Sequence, residues 1–225
     1  MTPVPYAVWA RDAAEPRFSE WLRQSAGADW DAVVAHPFAA AITTGEADMR
    51  RYLEQDFQFV DSFTALLGAA VASADTFEAR VPFGRFLGQT ATAQEKTYFH
   101  RALEALGVPP GEPAAPEPVT ADFRALMDEA RTGQDYPVIV AVLCVAEWCY
   151  LGWASRAAGP PPASFVHREW IELHEGPEFR AWVEFLRTEL DRLGPGLGAD
   201  AQERVRDVFA RAVRLEYLFF EMAAA

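Results

Sequence analysis

Residues 136–158 read YPVIVAVLCVAEWCYLGWASRAA and form one of the most apolar stretches of this 225-residue chain. The stretch has helical periodicity and stops before the prolines of residues 160–162, which cannot continue a helix. Helical periodicity recurs along almost the whole sequence, and the alternation that is typical of strands is nearly absent. The sequence therefore predicts an all-α fold in which long antiparallel helices, joined by short turns, form a helical bundle.

The same periodicity and its interruptions predict the remaining helices. Pro37 should bend one of them, and Pro82 together with Gly84 and Gly88 should bend or break another. Residues 108–118 are rich in proline, and their short length favours a connection within one domain, so that residues 1–225 form a single domain. The predicted helices span residues 17–26, 29–40, 46–73, 77–106, 120–131, 164–173, 178–193 and 199–222.

The composition argues against several classes of protein. The net charge of −13 and a single lysine, Lys96, argue against a nucleic-acid partner, because no basic stripe is available. No apolar run reaches the roughly 18–20 uncharged residues of a membrane span, and residues 1–17 lack the apolar region of a secretory signal. Cys144 and Cys149 lie five residues apart, on different faces of a helix, which disfavours a disulfide. We therefore expect a soluble, cytoplasmic protein whose partner is neither a nucleic acid nor a membrane.

Three apolar stretches each carry one acidic residue with an aromatic residue three places further on. Residues at i and i+3 share one helix face, so each pair should point together into whatever that face buries. Desolvating a lone carboxylate is costly unless it is paired, protonated or bound to a polar group. The pattern indicates a pocket, although each acid could instead lie at the edge of its apolar face and reach water. The pairs are Asp56 with Phe59, Glu147 with Tyr150, and Glu216 with Phe219.

Several short motifs occur in a recognisable order along the chain. HPF at residues 36–38 precedes QDFQF at 55–59, and the helix with Tyr150, the Trp170-Ile171 pair and LEYLFF at 215–220 follow. Together these motifs resemble the TenA family, also called thiaminase II, over nearly the whole chain. The resemblance implies the heme-oxygenase-like all-α fold and a homodimer or homotetramer.

The resemblance also implies roles for individual residues. Asp56 and Glu216 match family residues that hydrogen-bond an aminopyrimidine, and Phe59 and Tyr150 match rings that enclose it. Phe219, the aromatic partner of Glu216, is added to the predicted substrate-binding residues.

The chain departs from the better-known branch of the family at the nucleophile. That branch has a catalytic cysteine four residues before the tyrosine, and here this position is Ala146. A second branch lacks the cysteine and uses a glutamate in this helix, and Glu147 resembles that glutamate. His167 stands where the cysteine branch has a substrate-contacting tyrosine, so it is predicted to bind substrate. Cys144 is a weaker candidate nucleophile, because nearby acids disfavour its thiolate.

These residues predict a hydrolase of thiamin-precursor salvage that cleaves a C–N bond of aminomethyl- or formylaminomethyl-pyrimidine. Asp56 and Glu216 would orient and protonate the ring, and Glu147 would act as a general base toward water, a contribution of about 10²- to 10⁴-fold. Burial beside Tyr150 and a neighbouring carboxylate should raise the pKa of at least one acid. The scheme requires no cofactor.

Two alternatives remain open from the sequence. A dimetal oxidase of the same fold, acting on a small apolar acid, could use Glu147, His100, His167 and His174 as ligands. Only His100 with Glu104 clearly has the i, i+4 spacing of such a site, so a pocket without metal is favoured. A non-catalytic protein that binds a small heteroaromatic compound would keep the pocket but would have no need for Glu147.

Overall fold

A computed structural model describes residues 4–92, 94–108 and 114–225, with the side chains of all of these except residues 90–92 and 94–96. The described residues form α-helices and one short 3₁₀ turn at Gly194–Gly196, and they contain no strand, which confirms the predicted all-α class. The helices are α1 Tyr6–Asp12, α2 Phe18–Ala26, α3 Ala28–Val34, α4 Pro37–Thr44, α5 Met49–Asp56, α6 Phe59–Ser73, α7 Phe77–Thr92, α8 Gln94–Ala105, α9 Pro118–Gly133, α10 Tyr136–Ala154, α11 Phe165–Glu175, α12 Pro177–Leu193 and α13 Ala199–Ala224.

Helix α10 is the central element of the bundle. It packs against α3, α4, α6, α9, α11, α12 and α13, and every residue from Val138 to Val145 is buried. Each buried valine, leucine or isoleucine side chain contributes roughly 1.5–3 kcal/mol. The helix is long and apolar enough to cross a membrane, yet 78% of its most apolar window is buried inside the protein. It ends at Ala154, four residues earlier than predicted, and it behaves as the core helix of the fold.

The N-terminal helix α1 was missing from the sequence prediction. Its buried residue Tyr6 packs edge-on against Phe18 and Trp21, at ring-centroid distances of 5.1 and 5.6 Å. The Tyr6 hydroxyl also donates a hydrogen bond to the Pro16 carbonyl at 2.9 Å. These contacts with α2 and with the segment that precedes α2 stabilise a helix that is too short to form alone.

The predicted helix over residues 29–40 is divided into two helices at His36. Helix α3 ends at Val34, and α4 begins at Pro37, where proline is well tolerated as the first helical residue. His36 caps α4, because its Nδ1 accepts a hydrogen bond from the Phe38 backbone N–H at 3.1 Å. Its Nε2 therefore carries the proton and donates to Glu221 at 2.8 Å. His36 is thus the residue at which α4 is capped.

The predicted long helix over residues 46–73 is also divided, and the division positions Asp56. Helix α5 ends at Asp56 and α6 begins at Phe59, with hydrogen bonds of the tighter i to i−3 kind across the junction. The buried Gln55 side chain holds this junction against the start of α9. Its Oε1 accepts from the Glu117 backbone N–H at 2.9 Å and from the Thr120 hydroxyl at 2.7 Å.

The prediction of a helix break near Pro82 was wrong. Helix α7 continues through Pro82, Gly84 and Gly88 to Thr92, and α8 begins at Gln94; residue 93 between them lies outside the described residues. Because Pro82 is near the start of α7, it removes one backbone hydrogen bond without ending the helix.

Candidate active site

Three of the predicted acidic residues line one small cavity in the bundle. Its volume is about 70 Å³, and it is enclosed by α5, α6, α8, α9, α10, α11 and α13. Asp56 reaches it from the end of α5, Glu147 from the middle of α10 and Glu216 from α13. We call this space the inner cavity. The alternative in which each acid lies at the edge of an apolar face and reaches water does not fit Glu147 and Glu216, which are 6% and 3% exposed.

The carboxyl group of Glu216 is set up to stay protonated. Burial is the largest cause that raises its pKa well above the usual value of 4.5, and the charges of Asp56 and Glu147 raise it further. A carboxyl group that retains its proton near neutral pH can donate a hydrogen bond, which a carboxylate cannot do. The expectation that at least one of the acids has a raised pKa is confirmed for Glu216.

Aromatic rings form most of the remaining wall. Phe59 lines the inner cavity and packs edge-on against Phe123, with the ring centroids 5.3 Å apart. Tyr150 also lines it, and its hydroxyl lies 2.7 Å from that of Tyr52, which is fully buried on α5. Burial raises the pKa of both phenols well above 10, so both keep their protons. The Tyr52 hydroxyl therefore fixes the orientation of the Tyr150 ring.

His174 on α11 completes the wall; the sequence suggests it only as a ligand of the dimetal alternative. Its Nδ1 donates to the Trp170 carbonyl at 2.7 Å, one helical turn earlier. Burial lowers the pKa of His174 to about 4, against a smaller opposing effect of that hydrogen bond. The imidazole is therefore neutral at pH 7, with the proton on Nδ1, and Nε2 is left as a hydrogen-bond acceptor.

Two predicted substrate-binding residues lie outside the lining of the inner cavity. The Nε2 of His167 donates to the Ala47 carbonyl at 2.9 Å, so this side chain ties α11 to the segment before α5. Phe219 is buried behind Phe59, at a ring-centroid distance of 4.9 Å, and supports that ring. His167 is thus two helical turns before His174 and hydrogen-bonds outside the inner cavity, and Phe219 lies in the core behind Phe59; substrate binding by either residue stays a prediction.

The cysteines do not offer a nucleophile. Ala146 lines the inner cavity at the position that the family resemblance assigns to the catalytic cysteine. Cys144 and Cys149 are both buried and free, which confirms the prediction that they form no disulfide. Burial is the main cause that raises the pKa of each thiol well above its usual value, so neither forms a thiolate near neutral pH.

The ligand set of the dimetal alternative is not assembled. Among residues 4–92, 94–108 and 114–225, no group of three or more His, Cys, Asp and Glu side chains is placed to hold a metal ion. His174 faces the inner cavity, His167 bonds to a backbone carbonyl, and His100 packs against the ring of Phe57 at 5.5 Å. The donor geometry therefore does not support a carboxylate-bridged pair of metal ions.

A second, larger cavity adjoins the first. Its volume is about 390 Å³, and Glu147 and His174 line both cavities. We call this space the outer chamber. Glu147 thus lies at the boundary between a small aromatic cavity and a larger chamber.

Sequence reasoning could have found some of the residues it missed. His174 follows Trp170 by four residues, so both occupy one face of α11, and both line the inner cavity. Phe123 and Met127 of α9 also line it, but an apolar stripe with this spacing is equally typical of a core helix.

Solved structures of the same architecture define the class of fold. A TenA family transcription regulator from Silicibacter sp. TM1040 matches with a TM-score of 0.81, over 92% of this chain and 96% of its own, at 22% identity. A TenA homologue from Pyrococcus furiosus matches with a TM-score of 0.80, over 92% of this chain and 99% of its own, at 19% identity. The fold is thus the heme-oxygenase-like helical bundle.

The sequence itself then defines the family. Residues 23–225 match the TENA/THI-4/PQQC family, and the chain belongs to it. It is similar to the aminopyrimidine aminohydrolase of Halalkalibacterium halodurans, with 26% identity over 215 residues, 92% of this chain and 95% of that protein. It is also similar to the aminopyrimidine aminohydrolase of Bacillus subtilis (strain 168), with 25% identity over 220 residues, 92% of this chain and 89% of that protein. The resemblance to TenA proteins that the motifs indicated is confirmed.

Proposed function

We propose that this protein is a hydrolase of thiamin-precursor salvage that cleaves a C–N bond of aminomethyl- or formylaminomethyl-pyrimidine. The observation that carries the proposal is the convergence of Asp56, Glu147 and Glu216 on one aromatic cavity. Two relatives that are about a quarter identical to this chain over most of its length are named aminopyrimidine aminohydrolases, which supports the same chemistry here.

An aminopyrimidine ring matches the hydrogen-bonding groups of the inner cavity. Its ring nitrogens accept hydrogen bonds, and its amino group donates them. Protonated Glu216 donates to a ring nitrogen, and Asp56 accepts from the amino group, while Phe59 and Tyr150 contact the faces of the ring. In the aminomethyl compound, movement of the Glu216 proton toward the ring makes the pyrimidine a better electron sink, so that its exocyclic methylene becomes more electrophilic toward water.

Glu147 is the general base toward water in this scheme. It takes one proton from a water molecule, whose oxygen bonds to the carbon of the scissile C–N bond. That carbon is the exocyclic methylene of the aminomethyl compound and the formyl carbon of the formylamino compound. The C–N electron pair goes to nitrogen, which takes a proton and leaves as ammonia or as the aminomethyl-pyrimidine. The neutral His174 adjoins Glu147 at the boundary of the two cavities, and its Nε2 accepts a hydrogen bond from the attacking water.

The proposal extends to the branch of the family and to the setting of the protein. Ala146 at the cysteine position, the buried Cys144 and the placement of Glu147 in the cavity wall support the branch that lacks the cysteine and uses a glutamate. We also propose a cytoplasmic homodimer or homotetramer that works without a cofactor. Static light scattering on the purified protein tests the assembly, and a monomer would contradict it.

The test of the function is mass spectrometry of products. The purified protein is incubated with thiamin, aminomethyl-pyrimidine or formylaminomethyl-pyrimidine, beside its Glu147→Gln and Cys144→Ala variants. We expect hydroxymethyl- or aminomethyl-pyrimidine from the wild type and from Cys144→Ala. Glu147→Gln should lose about 10²- to 10⁴-fold in kcat and retain its affinity for the pyrimidine.

Each contrary result points to a different explanation. Loss of turnover in Cys144→Ala with normal folding would indicate a thiol mechanism. Binding of the pyrimidine without any product from the wild type would indicate the non-catalytic binding protein. Metal analysis of the same preparation, with about two ions per chain and no pyrimidine product, would favour the dimetal oxidase.

A further inference from the structure

The outer chamber is too large to serve a formyl group alone. Its volume of about 390 Å³ is more than five times the roughly 70 Å³ of the inner cavity. Pockets that bind whole small molecules measure about 300–1,000 Å³, so the outer chamber falls in that range and the inner cavity does not. Because Glu147 and His174 line both spaces, a ligand that occupies both would place one bond at the proposed general base.

The far wall of the outer chamber is aromatic and rigid. Phe86 of α7 is stacked on Trp182 of α12, with ring centroids 4.1 Å apart and an interplanar angle of 10°. Phe185 is also stacked on Trp182, at 5.6 Å, and Phe83 meets both Trp182 and Phe185 edge-on. Such a surface suits the methylene groups of an acyl chain, because it buries apolar area without offering hydrogen bonds.

Among the described residues, one arginine lines the outer chamber. Arg85 of α7 lines the outer chamber and makes neither an ion pair nor a hydrogen bond with the described residues. Most arginines of the described chain form ion pairs, as expected for a protein with a net charge of −13. A guanidinium group binds a carboxylate best, through two parallel hydrogen bonds.

The outer chamber also contains an acidic residue, Glu178, in a different electrostatic setting from Arg85. Glu178 also lines the outer chamber, but it lies in the first turn of α12, where the helix dipole favours its negative charge. It forms no ion pair with Arg85. The N-terminal end of α12 thus offsets part of the charge of Glu178, and Arg85 has no bonded acid in the chamber among the described residues.

We propose that the substrates of this enzyme are N-acylated aminomethyl-pyrimidines whose acyl chain carries a terminal carboxylate. The ring occupies the inner cavity, the amide bond lies at Glu147, the acyl methylenes cover the wall formed by Phe86 and Trp182, and the carboxylate pairs with Arg85. Water adds to the acyl carbon, the C–N bond breaks, and the products are the aminomethyl-pyrimidine and a free dicarboxylic acid. This inference rests on the proposed hydrolase function, because it places the ring and the scissile bond by that scheme.

The experiment compares two ligands that differ only in charge. The N-succinyl compound ends in a carboxylate, and the N-succinamoyl compound of the same length ends in a neutral amide. We expect the wild type to prefer the N-succinyl compound by about 5- to 20-fold in kcat/KM, the range typical of one charge-assisted pair at a solvent-accessible site. In Arg85→Gln the ratio should fall to about one, mainly through KM. Arg11→Gln removes the same charge from an exposed position on α1 and should keep the wild-type ratio.

The outcomes separate this inference from the proposed function. A wild-type ratio near one, or a preference that survives in Arg85→Gln, overturns the inference. Hydrolysis of the N-formyl compound without hydrolysis of either longer compound overturns the inference and leaves the proposed function standing. If no compound is hydrolysed, the proposed function fails, and calorimetric Kd values for the same ligand pair still decide whether Arg85 selects the anion. Absence of binding by every pyrimidine overturns both.

Discussion

Glu216→Gln should make the protein more stable relative to the wild type as the pH rises. The pKa of Glu216 is raised well above 4.5 in the folded protein, and the largest cause is burial. In the pH range between the pKa of Glu216 in the unfolded chain and its pKa in the folded protein, the folded wild type binds one proton more than the unfolded chain. Its free energy of unfolding therefore falls with increasing pH. The limiting slope is about 1.4 kcal/mol per pH unit. Glutamine has no proton to lose, so the variant does not share this loss.

The magnitude follows from that slope. Below about pH 4.5 both side chains are neutral and nearly isosteric, so the two proteins should differ little. Above it the difference in the free energy of unfolding, variant minus wild type, should grow by as much as about 2.7 kcal/mol over two pH units. This difference should level off once the pH exceeds the pKa of Glu216 in the folded protein. Asp56 and Glu147 share the site and raise the pKa of Glu216, so the curve reports the three carboxyl groups together.

The assay is urea unfolding of both proteins between pH 4 and 9 at constant ionic strength. Glu203→Gln serves as the matched control, because Glu203 is an exposed residue of the same helix. The control should differ from the wild type by a nearly constant amount. A constant difference for Glu216→Gln, or one that shrinks with increasing pH, would show that the folded protein does not hold this carboxyl group in its neutral form.

Two further predictions concern packing. Tyr52→Phe and Tyr150→Phe should each lower the free energy of unfolding by about 1–3 kcal/mol, because each leaves the other hydroxyl without its 2.7 Å partner. The double variant should lose less free energy of unfolding than the sum of the two single losses. Strict additivity in urea unfolding would contradict a shared hydrogen bond. Gly194→Ala should destabilise by at least about 1–3 kcal/mol, because its Cβ would overlap the rigid ring of Phe18. Gly198→Ala, where a Cβ meets nothing within 4 Å, is its control, and equal Tm values for the two variants would refute the close approach.

The fold class and the acids of the site could be predicted from sequence because both depend on local patterns. Helical periodicity is a property of neighbours at i+3 and i+4, so it identified α10 as a helix before any contact was known. A carboxylate in an apolar helix face has few ways to avoid its desolvation cost, which is why Glu147 and Glu216 indicated a pocket. The order of the motifs also indicated the TenA family, whose model residues 23–225 match.

The tertiary structure decided what local patterns cannot encode. His167 and His174 lie two turns apart on nearly one face of α11, and only the packing of α11 against its neighbours determines that His174 lines the inner cavity while His167 bonds to Ala47. The break after Asp56 depends on hydrogen bonds that Gln55 accepts from residues more than 60 positions away. The outer chamber likewise exists only because α7 and α12 meet beside α10. Each of these features arises from contacts between helices that are distant in sequence, and the hydrophobic pattern of one helix does not specify which neighbour covers it.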